Sequence, residues 1–251
     1  MISNEVFLSV RNLSNVYISR PWGIFGKKEV KHILDNVNLE IMRGEIFGLV
    51  GESGCGKTTL AKCILGLIDY EGEIAVNGRK RYRKLSFQER RKAAFDVQAV
   101  FQDSGSSLNP VKTVDWILEE PLKAQGLGSA AERQIQVDAM LDNVGLDASY
   151  KKRKPDELSS GQKQRVAIGA ALMLKPGLLV ADEPVSALDV SVGAQILNLF
   201  VELRDRLGLS LLFISHNLDQ VDYLCDRVVV MQRGTSALTD LGACSREGKI
   251  V

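Results

Sequence analysis

An apolar run that leads directly into a glycine-rich loop constrains the fold of this chain more than any other feature. Ile46 to Val50 is almost continuously apolar, as expected of a buried central strand, and a helix is predicted from Thr58 to Leu65. The loop between them consists of Gly51, Glu52, Ser53, Gly54, Cys55, Gly56, Lys57 and Thr58. A strand, a tight glycine turn and a helix in this order predict an α/β fold with a ligand site at the turn.

The spacing within the loop fits the phosphate-binding pattern G-x-x-x-x-G-K-S/T. Glycines at 51, 54 and 56 let successive backbone N–H groups point inward, and the following helix directs its positive end to the same place. Lys57 can reach the β- and γ-phosphates of a nucleotide, and the Thr58 hydroxyl can bind Mg²⁺. Cys55 is interpreted as a small filler, with a reactive thiol as the alternative.

Strand and helix patterns alternate along the rest of the chain. Alternation at 37–41 predicts a half-buried strand, and apolar runs predict buried strands at 97–101, 178–181, 211–214 and 228–231. A core-facing helical stripe is predicted from Val192, Ile196, Leu199, Leu203 and Leu207. Residues 104–172 are mostly helical in pattern and carry several breakers. We therefore predict an α/β phosphate-loop NTPase (RecA-like) core with an N-terminal antiparallel β region and a helical subdomain inserted at 104–172, all within one domain, 1–251.

Composition limits the alternatives. The 251 residues are 45% apolar, which is enough for a buried core, and 32 basic against 31 acidic residues leave a net charge of +1. No global charge therefore favours nucleic acid or an anionic membrane, although 79–84 and 151–154 are local basic runs. The four cysteines form no CxxC pair, and no secretory leader or membrane-spanning run is visible, so a reducing cytosol is expected.

Polar side chains follow two of the predicted strands. Asp182 and Glu183 end the run at 178–181, where Asp182 is expected to hold Mg²⁺ through its water shell and Glu183 to act as general base on a water molecule. His216 follows the strand at 211–215, at a carboxyl end where open parallel sheets collect ligands. The alternatives are a simple helix start for the acidic pair and a strand cap for the histidine.

A third motif lies between these elements. Leu158-Ser159-Ser160-Gly161-Gln162 resembles the signature of ATP-binding-cassette (ABC) ATPases, and the order of all motifs is similar to that family over almost the whole chain. The runs 100–103, 107–110, 186–192, 194–199 and 212–216 resemble the ATP-binding subunits of oligopeptide, dipeptide and nickel importers. Ser160 and Asn217 depart from the usual glycine and aspartate, and Gly169-Ala170 stands where Ala-Arg is common.

The resemblance implies a role for each motif residue. Lys57 and His216 would contact the γ-phosphate, and Gln102 would bind Mg²⁺ together with Thr58 and Asp182. The nucleotide contacts would extend to Thr59 and, from a second subunit, to Ser159, Gly161, Gln162 and the N–H groups that begin the helix after Gly161. Asp189 would lie in the loop that crosses the dimer interface. Tyr17 is where the family places an aromatic on adenine, but Trp22, Phe25 and a plain core tyrosine remain alternatives.

The implied machine is an importer driven by ATP and Mg²⁺ at the cytoplasmic face of the cell membrane. Its partners would be a second ABC ATPase in a head-to-tail dimer, either a copy or a paralogue, two membrane permeases and, indirectly, an extracytoplasmic binding protein. No nucleic-acid partner is expected. The cargo stays open between peptides and nickel. The rival functions are a soluble ABC ATPase without permease, acting in complex remodelling or as a carbon–phosphorus lyase accessory subunit, and a non-hydrolysing nucleotide sensor.

Overall fold

The computed structural model describes residues 5–19, 29–81, 86–103, 105–232 and 238–243. Its strands are β1 (Val6–Ser19), β2 (Glu29–Met42), β3 (Ile46–Gly51), β4 (Glu71–Val76), β5 (Arg79–Arg81), β6 (Val97–Val100), β7 (Leu178–Asp182), β8 (Ser210–Ser215), β9 (Arg227–Met231) and β10 (Leu238–Ala243). Its α-helices are α1 (Lys57–Ile64), α2 (Phe87–Ala93), α3 (Val114–Gln125), α4 (Ala130–Asn143), α5 (Ser160–Leu172), α6 (Val190–Leu207) and α7 (Leu218–Leu224). Short 3-10 helices span Ala148–Lys152 and Pro155–Glu157.

The described residues fall into two compact units. The first unit lies within 91–212, and the second lies within 2–90 and 213–251. Strand β8 belongs to both, because the division follows Leu212. None of the described helices combines the length and the apolar character needed to span a bilayer.

The second unit contains the predicted antiparallel region. Strand β1 pairs antiparallel with β2 and with β4, giving the order β2-β1-β4-β5. Strand β3 pairs parallel with β9, and the order around it is β10-β9-β3-β8. Gly48 in the middle of β3 lets α7 approach closely, since a Cβ there would lie 2.6 Å from Val221 Cγ1. The strand that leads into the glycine loop is therefore packed tightly on its α7 side.

Strand β2 is much longer than the segment 37–41 predicted from alternation. It runs from Glu29 to Met42 because β1 offers pairing partners along its whole length, from Val6 opposite Met42 to Ser19 opposite Glu29. The register shifts at several points along this pair, which interrupts a strict alternation of apolar and polar residues. The sequence pattern therefore revealed only the most regular part of the strand.

The first unit contains β6 and β7 as a parallel pair, with the order β8-β7-β6, and the helices α3 to α6. The predicted stripe on α6 is correct for Ile196, Leu199 and Leu203, which are buried. Leu207 is 45% exposed because the helix ends there, at the left-handed cap Gly208. Gly169 of α5 allows close helix packing, since a Cβ there would lie 3.1 Å from Leu118 Cδ2 of α3. An alanine at 169 would require the Leu118 side chain to move by a few tenths of an ångström.

A buried carboxylate fixes the first turn of α3. Asp115 is 8% exposed, accepts a hydrogen bond from the Thr113 hydroxyl and bonds the Lys152 ammonium at 2.7 Å. Burial raises the pKa of the Asp115 carboxyl, but the hydrogen bonds from Lys152 and Thr113 lower it by more, so the pKa lies below its ordinary value. Asp115 therefore ties the 3-10 helix at 148–152 to α3.

Replacing Asp115 with asparagine is expected to lower the free energy of unfolding at pH 7 by about 1–2 kcal/mol, because hydrogen bonds to a charged group are lost. A lowered native pKa stabilises the fold above the ordinary pKa, and this stabilisation is lost as the pH falls. The difference between native and variant chains should therefore shrink below about pH 4 in urea titrations. Asp138→Asn is the matched control, since Asp138 bonds Lys151 from an exposed position. An Asp115→Asn difference that is constant with pH would contradict this assignment.

Candidate functional site

The glycine loop has a shape that only glycine permits at its narrowest points. Gly54 and Gly56 have φ angles of 76° and 116°, in the left-handed region. A Cβ at Gly51 would lie 2.2 Å from the Met231 backbone oxygen, and a Cβ at Gly56 would lie 2.9 Å from Leu34 Cδ2. The loop therefore brings its backbone into close contact with its surroundings and forms a backbone cradle at the start of α1.

The polar groups of this loop are arranged for an anion. Lys57 is buried, and its Nζ donates to the backbone oxygens of Gly51 at 2.7 Å and Glu52 at 3.0 Å. No side chain caps α1, and the positive N-terminal end of this helix lies at the loop. The Cys55 thiol is buried, which agrees with its interpretation as a small filler, and it lies 3.8 Å from Lys57 Nζ. The cradle fits a nucleotide phosphate.

The loop offers few oxygen ligands, which suits Mg²⁺ bound together with a nucleotide better than a metal ion coordinated by protein side chains alone. Thr58 is exposed in the first turn of α1, and Thr59 beside it is half-buried. Glu52, Ser53 and Gly54 are exposed. The described residues contain no group of three or more His, Cys, Asp or Glu side chains suited to a metal. Mg²⁺ in nucleotide sites takes one or two protein oxygens together with phosphates and water, and this donor set fits that chemistry.

In the first unit, Gln102 and the acidic pair lie at one edge of the sheet. Strands β6 and β7 are parallel, with Val100 opposite Ala181, so Gln102 and Asp182 lie at the carboxyl ends of neighbouring strands. Gln102 is exposed, and Asp182 is 5% exposed at the last residue of β7. Asp103 follows with φ 57°, and its carbonyl accepts hydrogen bonds from Ser106 and Ser107. A tight turn therefore holds Gln102 at this edge.

Glu183 has a strained backbone. Its φ is 50°, in the left-handed region, which costs a residue with a side chain about 1–2 kcal/mol. The Glu183 carbonyl accepts hydrogen bonds from the Ser186 N–H at 3.3 Å and from the Ser186 hydroxyl at 2.9 Å. The turn after β7 therefore enforces the unusual conformation. Strain of this kind clusters at active sites, so the turn at Glu183 is a candidate functional element.

His216 lies directly after β8 in the second unit and is exposed. Its neighbours organise the start of α7: the Asn217 side chain accepts hydrogen bonds from the N–H groups of Asp219 at 2.9 Å and Gln220 at 3.3 Å. Asparagine is a good N-cap, so the departure from aspartate at this position keeps the local structure. Tyr17 of β1 is 62% exposed in the same unit, which rules out a plain core tyrosine. Trp22 and Phe25 lie outside the described residues.

The signature segment forms the N-terminal cap of α5. The helix begins at Ser160, so the expectation that it starts after Gly161 is wrong. Ser159 is the N-cap: its N–H donates to Gln162 Oε1 at 2.9 Å, and the Gln162 N–H donates to the Ser159 hydroxyl at 3.4 Å. This capping box starts the helix early and leaves the N–H groups of Ser160 and Gly161 without intrahelical acceptors. Ser160 itself is exposed.

Two contacts near this cap have no sequence signal. A Cβ at Gly161 would lie 2.5 Å from Val192 Cγ1 of α6, so glycine is required for the two helices to approach. The Val192 N–H in turn donates at 2.9 Å to Asp189, the N-cap of α6. The first unit thus joins the signature segment to the Asp189 loop through Val192. The other contact is between Gln162 and the Tyr150 hydroxyl, at 2.9 Å.

Comparison with known proteins decides between the functional classes. The family profile described as ABC transporter matches residues 34–186. The chain belongs to the ABC transporter family. This ABC protein is 46% identical to a dipeptide transport ATP-binding protein of Haemophilus influenzae, over 92% of this chain and 70% of that protein. It is 41% identical to an oligopeptide transport ATP-binding protein of Bacillus subtilis, over 92% of this chain and 71% of that protein.

Solved structures agree with this family. A post-hydrolysis dimeric structure of the ATP-binding cassette MJ0796 bound to ADP and Pi matches with a TM-score of 0.76 and 29% identity, covering 91% of this chain and 97% of that one. The cbiO1 protein of Clostridium perfringens, part of the cbiONQ transporter complex, matches with a TM-score of 0.78, 29% identity and coverage of 91% and 85%. The predicted family, the α/β phosphate-loop fold and the ATPase class are confirmed, and the nucleotide is ATP. The bounds of the helical insertion and the roles of individual residues stay predictions.

Ser160→Gly is expected to change the ATPase rate by less than tenfold, which corresponds to about 1.4 kcal/mol of barrier. Position 160 is exposed, and the capping box is made by Ser159 and Gln162. Steady-state ATPase assays of the assembled complex would test this, with Ala130→Gly as the control at the equivalent exposed first position of α4, after the Ser129 capping box. An increase of more than tenfold would mean that the added hydroxymethyl group obstructs the site.

Proposed function

We propose that this chain is the ATP-hydrolysing subunit of an importer for peptides. The observation that carries the proposal is its 46% identity, over 92% of its length, to a protein named for dipeptide transport. The Bacillus subtilis relative is named for oligopeptide transport, which favours peptides over nickel as cargo. The phosphate cradle around Lys57 and the strained turn at Glu183 support an active rather than a sensing subunit.

In this proposal each site residue has one task. The loop N–H groups and Lys57 hold the β- and γ-phosphates, and Tyr17 stacks on adenine. Thr58, Gln102 and, through water, Asp182 hold Mg²⁺, which neutralises phosphate charge during the reaction. Glu183 orients and deprotonates the attacking water, and His216 contacts the γ-phosphate.

The proposed working form is a head-to-tail dimer with a copy or a paralogue. Ser159, Asp189 and the free N–H groups of Ser160 and Gly161 would face a nucleotide held by the other subunit, because a helix N-terminus suits an anion. The dimeric form of the MJ0796 cassette supports this arrangement. Two permeases would carry the chain at the cytoplasmic face of the membrane, supplied by an extracytoplasmic binding protein.

The basic runs give little support to nucleic acid as an alternative partner. Lys151 bonds Asp138 at 2.7 Å, Lys152 bonds Asp115 at 2.7 Å, and the Arg153 guanidinium stacks 4.3 Å from the centre of the Tyr150 ring. The run at 151–154 therefore makes local contacts with its own unit. In the run at 79–84, Lys80 pairs with Glu73 at 2.9 Å, and 82–84 lie outside the described residues.

The test is transport by a complex reconstituted in proteoliposomes from this chain and the permease and ATPase subunits that co-purify with it, with the extracytoplasmic binding protein added on the outside. When ATP is enclosed in vesicles whose ATPase subunits face the lumen, the complex should take up a labelled di- or oligopeptide from outside. The Glu183→Gln complex should take up none. Labelled Ni²⁺ serves as the competing cargo. Uptake of nickel without uptake of peptide would contradict the proposed cargo. Purification of the chain with nucleic acid and without a permease would contradict the proposed importer function.

A further inference from the structure

Both polar atoms of the Gln162 side-chain amide make a hydrogen bond within the chain. Its Oε1 accepts from the Ser159 N–H at 2.9 Å, and its Nε2 donates to the Tyr150 hydroxyl at 2.9 Å. A backbone N–H can only donate, so the first contact fixes Oε1 toward Ser159 and leaves the amide NH₂ for Tyr150. Gln162 is therefore held at both ends, and one of these ends depends on Tyr150.

Tyr150 is in turn anchored to α3. It lies in the 3-10 helix Ala148–Lys152, half-buried, with the Arg153 guanidinium 4.3 Å from the centre of its ring. The Arg153 carbonyl accepts from the Val114 N–H at 2.9 Å, and Lys152 bonds Asp115 in the same turn of α3. The 3-10 helix and the Tyr150 ring are thus held by contacts that do not involve Gln162.

The three hydrogen bonds of Gln162 differ in length. The Gln162 contacts to Ser159 N and Tyr150 are both 2.9 Å, whereas the bond from the Gln162 N–H to the Ser159 hydroxyl is 3.4 Å and beyond the usual range. The Ser159 hydroxyl can therefore turn to an external acceptor with little loss, provided that the Gln162 side chain keeps the Ser159 backbone in place.

We propose that Tyr150 is a positioning residue for the signature segment Ser159–Gln162. Its hydroxyl holds Gln162, and through Gln162 the backbone of Ser159, so that the Ser159 hydroxyl and the free N–H groups of Ser160 and Gly161 are presented to an anionic ligand. This inference rests on the proposed function, in which that ligand is the γ-phosphate held by the other ATPase subunit.

The test is Tyr150→Phe, which keeps the ring under Arg153 and removes only the hydroxyl. Amide hydrogen exchange of Ser159 in the full-length chain should become about fivefold faster, because the N–H is bonded to a Gln162 side chain that has lost its anchor. The kcat for ATP should fall about fivefold to tenfold, as for the loss of one hydrogen bond. The KM for ATP should change less than twofold, since the phosphate loop holds the nucleotide.

Two controls separate positioning from general damage. Tyr70→Phe removes another hydroxyl bond, from Tyr70 to the Arg81 carbonyl in the second unit, and should leave both readouts unchanged. The Ser129 N–H bonds Glu132 in an equivalent capping box on α4, and its exchange should be the same in all variants.

Unchanged Ser159 exchange in Tyr150→Phe would overturn the proposal, and so would faster exchange with native kcat. These outcomes are distinct from a failure of the proposed function. The exchange measurement needs only the purified chain, so a complex that imports no peptide would contradict the importer while leaving the Tyr150 result valid.

Discussion

Glu183→Gln is expected to lower kcat for ATP hydrolysis by at least about 100-fold, because glutamine keeps the size of the side chain but cannot accept a proton from the attacking water. ATP affinity should change little, since in the proposed function the phosphate contacts are made by Lys57 and the loop N–H groups and not by Glu183. Single-turnover hydrolysis and equilibrium binding of ATP, measured on the same preparation, separate the two effects.

The matched control for Glu183 is Glu202→Gln. Glu202 is exposed on α6, and its carboxylate lies 4.0 Å from the Arg206 guanidinium, so the two form a weak surface ion pair. This variant should turn over ATP at the native rate. If Glu183→Gln retained more than a tenth of the native kcat, another group would have to serve as the base, and the strained turn at 183 would need a different explanation.

Gly161→Ala is expected to lower kcat about 100-fold, because the added Cβ would lie 2.5 Å from Val192 Cγ1 and the start of α5 would have to shift. A displacement of about 1 Å at a catalytic segment is enough for an effect of this size. Steady-state kinetics of the assembled ATPase would measure it, with thermal unfolding as the check on folding.

Val192→Ala provides the rescue. It removes the Cγ atom that a Cβ at 161 would meet, so the double variant should recover to within tenfold of the native kcat, while Val192→Ala alone should have a small effect. A double variant that folds normally and stays as inactive as Gly161→Ala would show that the methyl group interferes with the nucleotide directly. The packing role assigned to Gly161 would then be wrong.

The sequence predicted the parts of the site that depend on neighbouring residues. The phosphate loop, the acidic end of β7 and the position of His216 after β8 follow from apolar runs and the polar residues directly after them. The start of α5 at Ser160 could also have been predicted, because Ser159-x-x-Gln162 is the pattern of a capping box.

Other features depend on residues that are distant in sequence. The Met231 carbonyl forces glycine at 51, Val192 forces it at 161, and Tyr150 meets Gln162 through the register of a 3-10 helix against α5. Local sequence periodicity does not predict these contacts, because each contact depends on how separate helices, strands and loops pack together. The length of β2 was missed for the same reason, since its pairing with β1 and not its own alternation determines where it ends.

The left-handed backbone at Glu183 opposes the stability of the fold to its catalytic activity. Glycine would adopt φ 50° without a side-chain clash, so Glu183→Gly should relieve about 1 kcal/mol of strain while removing the carboxylate. A search for thermostable variants that screened only for folding would therefore select against the residue on which hydrolysis depends. A variant stabilised at this position would therefore no longer hydrolyse ATP.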